Sequence, residues 1–198
     1  MSASNHKRIG GTLREMNMIL SEADGKLFFR LWLGLLDYVN KKYHVNLQLP
    51  EISPKISLSI NQIMKVSDWL WEHPDEIDSY LSENNHLTTE HQEIVRGWKS
   101  FVRGSFIVER HLKKGSIFIS SQTLKVYLVK GITEPWDTLL RHDPLPIMLQ
   151  TTLIPFRDIV ISDGLVRPYD LMFGGGMKQE LKDIYLTAKK NGEIIQSF

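Results

Sequence analysis

The sequence contains no cysteine, which excludes disulfides, thiolate nucleophiles and zinc sites built on cysteine. It also has no stretch that approaches the roughly 20 apolar residues that span a bilayer. The first residues, MSASNHKRIGG, have no apolar core of signal-peptide type. No cluster of histidines and carboxylates indicates a metal site, and no cofactor motif is present. We therefore expect a cytoplasmic protein with no membrane association, no metal and no cofactor.

Neither sign of charge dominates, because 24 Lys and Arg residues face 23 Asp and Glu residues and the net charge is +1. The chain as a whole is therefore not a polyanion binder by composition. The region from Arg96 to Lys130 is strongly basic, and Glu109 is its one acidic residue. Its basic residues are Arg96, Lys99, Arg103, Arg110, Lys113, Lys114, Lys125 and Lys130. Such a local excess predicts a partner-binding surface, with an ordinary solvated face as the alternative.

Residues 1–103 carry the apolar spacing of helices. Helices are predicted to begin near Ser21, Ser59, Pro74 and Thr88 or Thr89. The last of these is predicted to continue to about Val102. At helical spacing Arg96, Lys99 and Arg103 then share one face, opposite an apolar face.

After Gly104 the hydrophobic period changes to two, which predicts strands. Three short runs separated by KKG and SQT predict a β-meander. A short helix capped by Thr133 follows, and Asp163-Gly164 between two apolar runs predicts a type I′ hairpin. A last helix ends at Asn191-Gly192, and EIIQSF predicts a final strand.

The predicted fold class is α+β: a helical region followed by a small antiparallel β-barrel-like or bent-sheet domain with a C-terminal helix. The predicted domains are 1–103 and 104–198, with one continuous domain as the alternative.

Three consecutive glycines, Gly174 to Gly176, precede the last helix. Neither a Walker loop nor a dinucleotide fingerprint fits, because the required lysine, hydroxyl and βαβ context are missing. A helix N-terminus with free amides can still hold an anion weakly, which makes Gly175, Gly176 and Lys178 a candidate anion site. The favoured interpretation is structural: a turn that lets the helix pack closely.

No catalytic constellation is complete. Ser105 lacks the second glycine of a nucleophile elbow, and His86 and His91 are spaced wrongly for a metal on one helical face. The sequence therefore leaves open whether the protein is an enzyme.

Non-enzymatic binding through the basic region is the favoured function, with nucleic acid or another protein as the partner. Lys125 and Tyr127 share a strand face, so that an aromatic residue accompanies the basic ones. One alternative is a protein-protein adaptor that docks through Trp32, Trp69 and Trp71. Another is a hydrolase or nuclease whose site assembles only in three dimensions. The oligomeric state is not predicted.

Several motifs lie between residues 92 and 185, among them HLKKGSIF, LPIMLQTTLIPFRDIVISDGL and FGGG. With these motifs the chain resembles an uncharacterised family of bacterial proteins of unknown function. The resemblance implies a shared fold for this stretch, used with varying helical N-terminal parts. It implies no reaction, cofactor or catalytic residue.

Overall fold

The computed structural model of the protein describes residues 18–53 and 59–198. Within these residues six helices and six strands are present. The helices are α1 (Glu22–Tyr43), α2 (Ile60–Glu72), α3 (Glu76–Glu83), α4 (Thr89–Gly97), α5 (Trp136–Leu139) and α6 (Gly175–Asn191). The strands are β1 (Val102–Leu112), β2 (Gly115–Ser120), β3 (Val126–Lys130), β4 (Ile147–Phe156), β5 (Ile159–Ser162) and β6 (Arg167–Pro168). Four helices precede the sheet and one follows it, which confirms the predicted mixed class and element order.

The helix ends show why these segments are helical. The Ser21 hydroxyl accepts the Asp24 amide at 3.1 Å and begins α1. The Thr88 hydroxyl accepts the His91 amide at 3.3 Å and begins α4. Each hydroxyl satisfies an amide that has no partner within the helix. Gly192, with φ of 71°, ends α6 in the left-handed conformation that glycine adopts without strain, as predicted.

The predicted basic face on the fourth helix is wrong. Helix α4 ends at Gly97, a single 3-10 turn covers Trp98–Ser100, and β1 begins at Val102. Trp98 is fully buried against Phe28 and Trp32, at ring-centroid distances of 6.0 and 5.6 Å. Trp98 is held in the core directly after α4 ends, and the chain continues from there as a turn and a strand. Arg103 therefore belongs to β1 and not to the helix. The position predicted as a domain boundary, Gly104, lies within the same strand.

The sheet confirms the predicted meander, since β1 pairs with β2 and β2 with β3, both antiparallel. Strand β3 then pairs with β5 in parallel, over Val129↔Val160 and Lys130↔Ile161. Strand β5 pairs with β4, and β4 also pairs with β1 over seven residues. The five strands β1-β2-β3-β5-β4 therefore form an unbroken ring of pairings. The parallel pair corrects the expectation of a purely antiparallel sheet.

The predicted Asp163-Gly164 hairpin is wrong. Strand β6 pairs with β4, at Leu149↔Pro168 and Gln150↔Arg167, and not with β5. Of the two residues at the predicted turn, only Gly164 has a positive φ, of 82°, whereas a type I′ turn needs a positive φ at both central residues. The actual tight hairpin joins β4 to β5 through Arg157 and Asp158.

Two smaller predictions also change. Helix α5 begins at Trp136 after Pro135, so Thr133 does not cap it. The predicted last strand is reduced to a single parallel bridge between Ile195 and Tyr127.

Three groups of buried side chains hold the elements together. One lies inside the ring of strands and includes Phe106, Phe118 and Leu153. A second joins the helices α1 to α4 to the outer side of β4 and β5, and contains residues from both halves of the chain. The third lies under α6, where Leu181 and Tyr185 pack on the outer side of β1 to β3. Helices therefore cover two sides of the sheet.

Candidate nucleic-acid interface

The eight basic residues predicted as an interface do not share one surface. Lys99, Arg103 and Arg110 have carboxylate partners, and Arg96 lies apart at the exposed end of α4. Of the other four, Lys125 lines one cavity and Lys114 and Lys130 line another, on either side of the C-terminal segment, while Lys113 lies beside Lys114 in an exposed turn.

Lys99 links the turn before β1 to α3, and Arg103 links β1 to α2. The Lys99 ammonium lies 3.2 Å from Asp75 and also contacts Asp78, both at the beginning of α3. Hydrogen bonds to these two carboxylates raise the pKa of Lys99. Arg103 donates to Asp68 at 2.6 Å, and Arg167 donates to the other oxygen of the same carboxylate at 2.6 Å. These positive charges are therefore already neutralised within the protein.

Arg110 packs α6 onto the sheet. Its guanidinium donates to Glu109 at 2.8 Å and lies 4.3 Å from the centre of the Tyr185 ring. The β-bulge between Val108 and Arg110 turns this side chain outward, toward the helix. Arg110 is thus committed to an internal ion pair and a cation-π contact.

Lys114 and Lys130 are the basic residues that the structure brings together, and Lys113 precedes Lys114 in the same turn. The first two form the exposed two-residue turn between β1 and β2, and Lys130 ends β3 with its side chain opposite the buried Val129. Lys114 and Lys130 line one cleft of about 330 Å³. Its other lining residues are Leu128, Asp158, Ile159 and Gln196. Of the ion pairs among the described residues, none involves these three lysines.

Lys125 lies in a different and larger groove, of about 840 Å³, between α6 and the turn from β2 to β3. Gly176 of the predicted anion site lines the same groove. Three acids also line it: Glu180, Asp183 and Glu193. The aromatic residue predicted to accompany Lys125 is unavailable, because Tyr127 is buried inside the ring of strands.

The three glycines need no special backbone. None of them has a positive φ, and a Cβ at any of the three would meet nothing within 4 Å. The interpretation as a turn required for close packing is therefore wrong, and Gly174 simply precedes α6 in an extended conformation. Lys178 lies in a separate cleft of about 260 Å³ beside Tyr169 and Phe173, away from the groove that Gly176 lines.

A buried polar cluster that the sequence did not predict surrounds Asp163. Its carboxylate accepts the Trp71 indole at 3.0 Å, the Leu165 amide at 3.0 Å and the Ser67 hydroxyl at 3.4 Å. Burial raises the pKa of Asp163 to about 6, while these bonds and one with Thr152 act in the opposite direction. An acid followed by glycine resembled a turn, and only the fold shows that it points into the helix layer.

The described residues bring no three His, Asp or Glu side chains close enough together to hold a metal ion. Every helix in the described part of the chain is too short or too polar to cross a membrane. In comparisons with known proteins, the chain matches no protein-family model, no curated protein and no solved structure.

Proposed function

We propose that this protein is a non-enzymatic binding module that contacts the phosphates of a nucleic-acid strand through Lys113, Lys114 and Lys130. The observation that carries the proposal is the cleft in which Lys114 and Lys130 converge, neither of them in an ion pair with a carboxylate of residues 18–53 or 59–198. The cleft lining contains two lysines and one acid, Asp158, so its charge is positive. Unpaired lysines beside a groove are the groups that neutralise phosphates.

The strand pairing supports this location. We further propose that the ring β1-β2-β3-β5-β4 is a small barrel of the OB type. That barrel binds oligonucleotides on the face of its second and third strands, between the β1–β2 and β4–β5 loops. Here Lys113 and Lys114 form the β1–β2 turn, and Asp158 belongs to the β4–β5 turn. In addition, α5 lies between β3 and β4 and places Trp136 in the cluster inside the ring.

Helix α6 restricts the surface that a strand could use. It covers Ile107, Ile117 and Ile119 on the outer side of β1 and β2. It leaves accessible the cleft that Lys114 and Lys130 line, and Lys113 is exposed beside that cleft. Lysine contacts to phosphates carry no sequence information, so the proposed binding is independent of sequence.

A titration tests the proposal. Fluorescence anisotropy would follow a labelled single-stranded RNA of about 12 nucleotides, a length within the range that one OB domain covers. Single-stranded DNA and the duplexes would be measured in parallel at low salt. We expect the variant with Lys113→Glu, Lys114→Glu and Lys130→Glu to lose binding, because three phosphate contacts become repulsions.

The matched control carries Arg96→Glu, Lys182→Glu and Lys189→Glu, which make the same charge change at exposed positions outside the cleft. This control should retain most of the affinity. Equal loss in the two variants would show that only net charge matters, and unchanged binding in the cleft variant would refute the proposed interface.

The buried tryptophans argue against the adaptor alternative. Trp32 and Trp71 are almost fully buried and stack on each other at 5.3 Å. Trp69 is half-buried and stacks on Tyr43 at 4.4 Å. Two of the three predicted docking residues therefore belong to the core that joins helices and sheet, where they have no surface to offer a partner.

A further inference from the structure

The C-terminal segment, residues 193–198, lies along the edge of β3 that faces away from β2, which is called the outer edge below. The Ile195 amide donates to the Val126 carbonyl, and the Leu128 amide donates to the Ile195 carbonyl, both at 2.9 Å. Strand β5 pairs with β3 only at Val129 and Lys130, so the segment covers the part of the edge that β5 leaves unpaired. Its neighbouring side chains diverge: Ile194 packs under α6, and Ile195 packs on the cluster inside the ring.

This segment also separates the two cavities that contain Lys125 and the pair Lys114 and Lys130. Ile195 and Glu193 line the larger groove, which holds Lys125. Gln196 lines the smaller cleft, which holds Lys114 and Lys130. Val126 lines the larger groove and Leu128 lines the smaller cleft, so the two cavities lie on either side of the point where Ile195 bonds to β3.

Lys125 and Lys130 mark the two ends of this edge of β3. Lys125 directly precedes β3 and Lys130 ends it, so the two lie roughly 16 Å apart along an extended chain. The segment occupies the middle of that span. Its removal would also take away Glu193, one of the three acids that face the larger groove.

From these contacts we propose that the C-terminal segment and a nucleic-acid strand compete for the outer edge of β3. The proposal rests on the proposed function and adds a regulation to it. With the segment in place, a strand reaches only the smaller cleft. When the segment leaves, the strand extends along β3 and contacts Lys125. The exchange breaks two backbone hydrogen bonds, each of which contributes only modestly to stability in water. It also removes the partly buried contacts of Ile194 and Ile195, which contacts with the nucleic-acid strand must replace.

A protein that ends after Gly192 tests the competition. Its dissociation constant for the single-stranded RNA of about 12 nucleotides should be lower than that of the full chain by about fivefold or more. In the full chain only the fraction of molecules whose segment has left β3 can bind along the whole strand, and the apparent affinity is reduced by that fraction. Lys125→Glu should weaken binding by the shortened protein and leave binding by the full chain unchanged.

Point variants separate the competition from general loosening of the fold. Ile195→Pro removes the amide that donates to Val126 and should tighten RNA binding. Ser197→Pro makes the same change two residues further on, at an exposed position whose amide forms none of the described backbone bonds, and should not. Circular dichroism would establish that each variant is folded. Competition is also reciprocal, so saturating RNA should accelerate hydrogen exchange of the Ile195 amide in the full chain.

The outcomes distinguish this inference from the proposed function. If the full chain binds RNA through Lys113, Lys114 and Lys130 but the shortened, folded protein binds no more tightly, only the competition is refuted. Unchanged or slower exchange of the Ile195 amide in the presence of RNA would refute it as well. If neither protein binds RNA, the proposed function fails and the competition fails with it.

Discussion

Trp71 donates its indole N–H to the buried carboxylate of Asp163 at 3.0 Å, across 92 residues of sequence. The first residue belongs to α2, and the second directly follows β5. Both lie where the helix layer packs on the sheet, and Asp163 is 3% exposed. A buried carboxylate needs several donors, so this contact fixes how the two layers meet.

Replacing Trp71 with Phe should destabilise the protein. The change removes a donor to a buried carboxylate, which costs about 1–3 kcal/mol, and leaves a gap beside Trp32. Urea unfolding of both proteins at neutral pH would measure the loss. The control is Trp69→Phe on the same helix, because Trp69 is half-buried and makes no bond to Asp163. An equal decrease of the unfolding free energy in the two variants would show that the smaller ring, and not the missing hydrogen bond, causes the destabilisation.

The pH dependence of stability follows from the same carboxylate. Burial raises the pKa of Asp163 from 3.8 to about 6, so the folded protein binds this proton more tightly than the unfolded chain. Stability from this group is therefore fully present below about pH 4 and is lost as the pH rises through about 6.

Asp163→Asn isolates this contribution. The amide cannot ionise, so the unfolding free energy of the wild type minus that of the variant should decrease between about pH 4 and about pH 6 and then level off. Taking the difference cancels the titration of all other groups. A difference that stays flat, or that increases with pH, would contradict the raised pKa.

Local sequence signals predicted the elements of this protein well where short-range physics decides. Ser21 and Thr88 cap their helices, and Gly192 ends the last helix, because each acts through bonds within one turn. The hairpin at Asp163-Gly164 failed for the opposite reason. The Asp163 carboxylate is held by partners up to 96 residues away, which no local pattern reveals.

The candidate site shows the same division. Basic residues near in sequence were expected to share a surface, yet Lys99 and Arg103 face acids on α3 and α2. Those acids are distant in sequence, so the neutralisation could not be predicted from the basic region alone. Conversely, Lys114 and Lys130 meet because β2 and β3 pair, and the predicted meander contained that information.

Gly131 and Gly176 differ in the space available for a side chain, so replacing each with alanine tests where glycine is required. A Cβ at Gly131 would lie 1.9 Å from the Glu134 carbonyl oxygen, and we expect Gly131→Ala to cost about 2–3 kcal/mol. A Cβ at Gly176 meets nothing within 4 Å in the first turn of α6, so Gly176→Ala should stabilise by about 0.5 kcal/mol. Thermal unfolding distinguishes the two. A loss at Gly176 would restore a close-packing role for the triple glycine.

The salt dependence of nucleic-acid binding tests how many phosphates the cleft neutralises. Three lysine contacts to a single strand predict a slope of about −2 when the logarithm of the association constant is plotted against that of the salt concentration. Lys114→Gln removes one contact without adding a repulsion, so the slope should become shallower by about 0.7. Arg96→Gln is the control and should leave it unchanged, because Arg96 lies outside the cleft. An equal change of slope in both variants would mean that the nucleic acid binds to the overall positive charge of the protein and not to the cleft. A change confined to Lys114→Gln would place the phosphates at the β1–β2 turn.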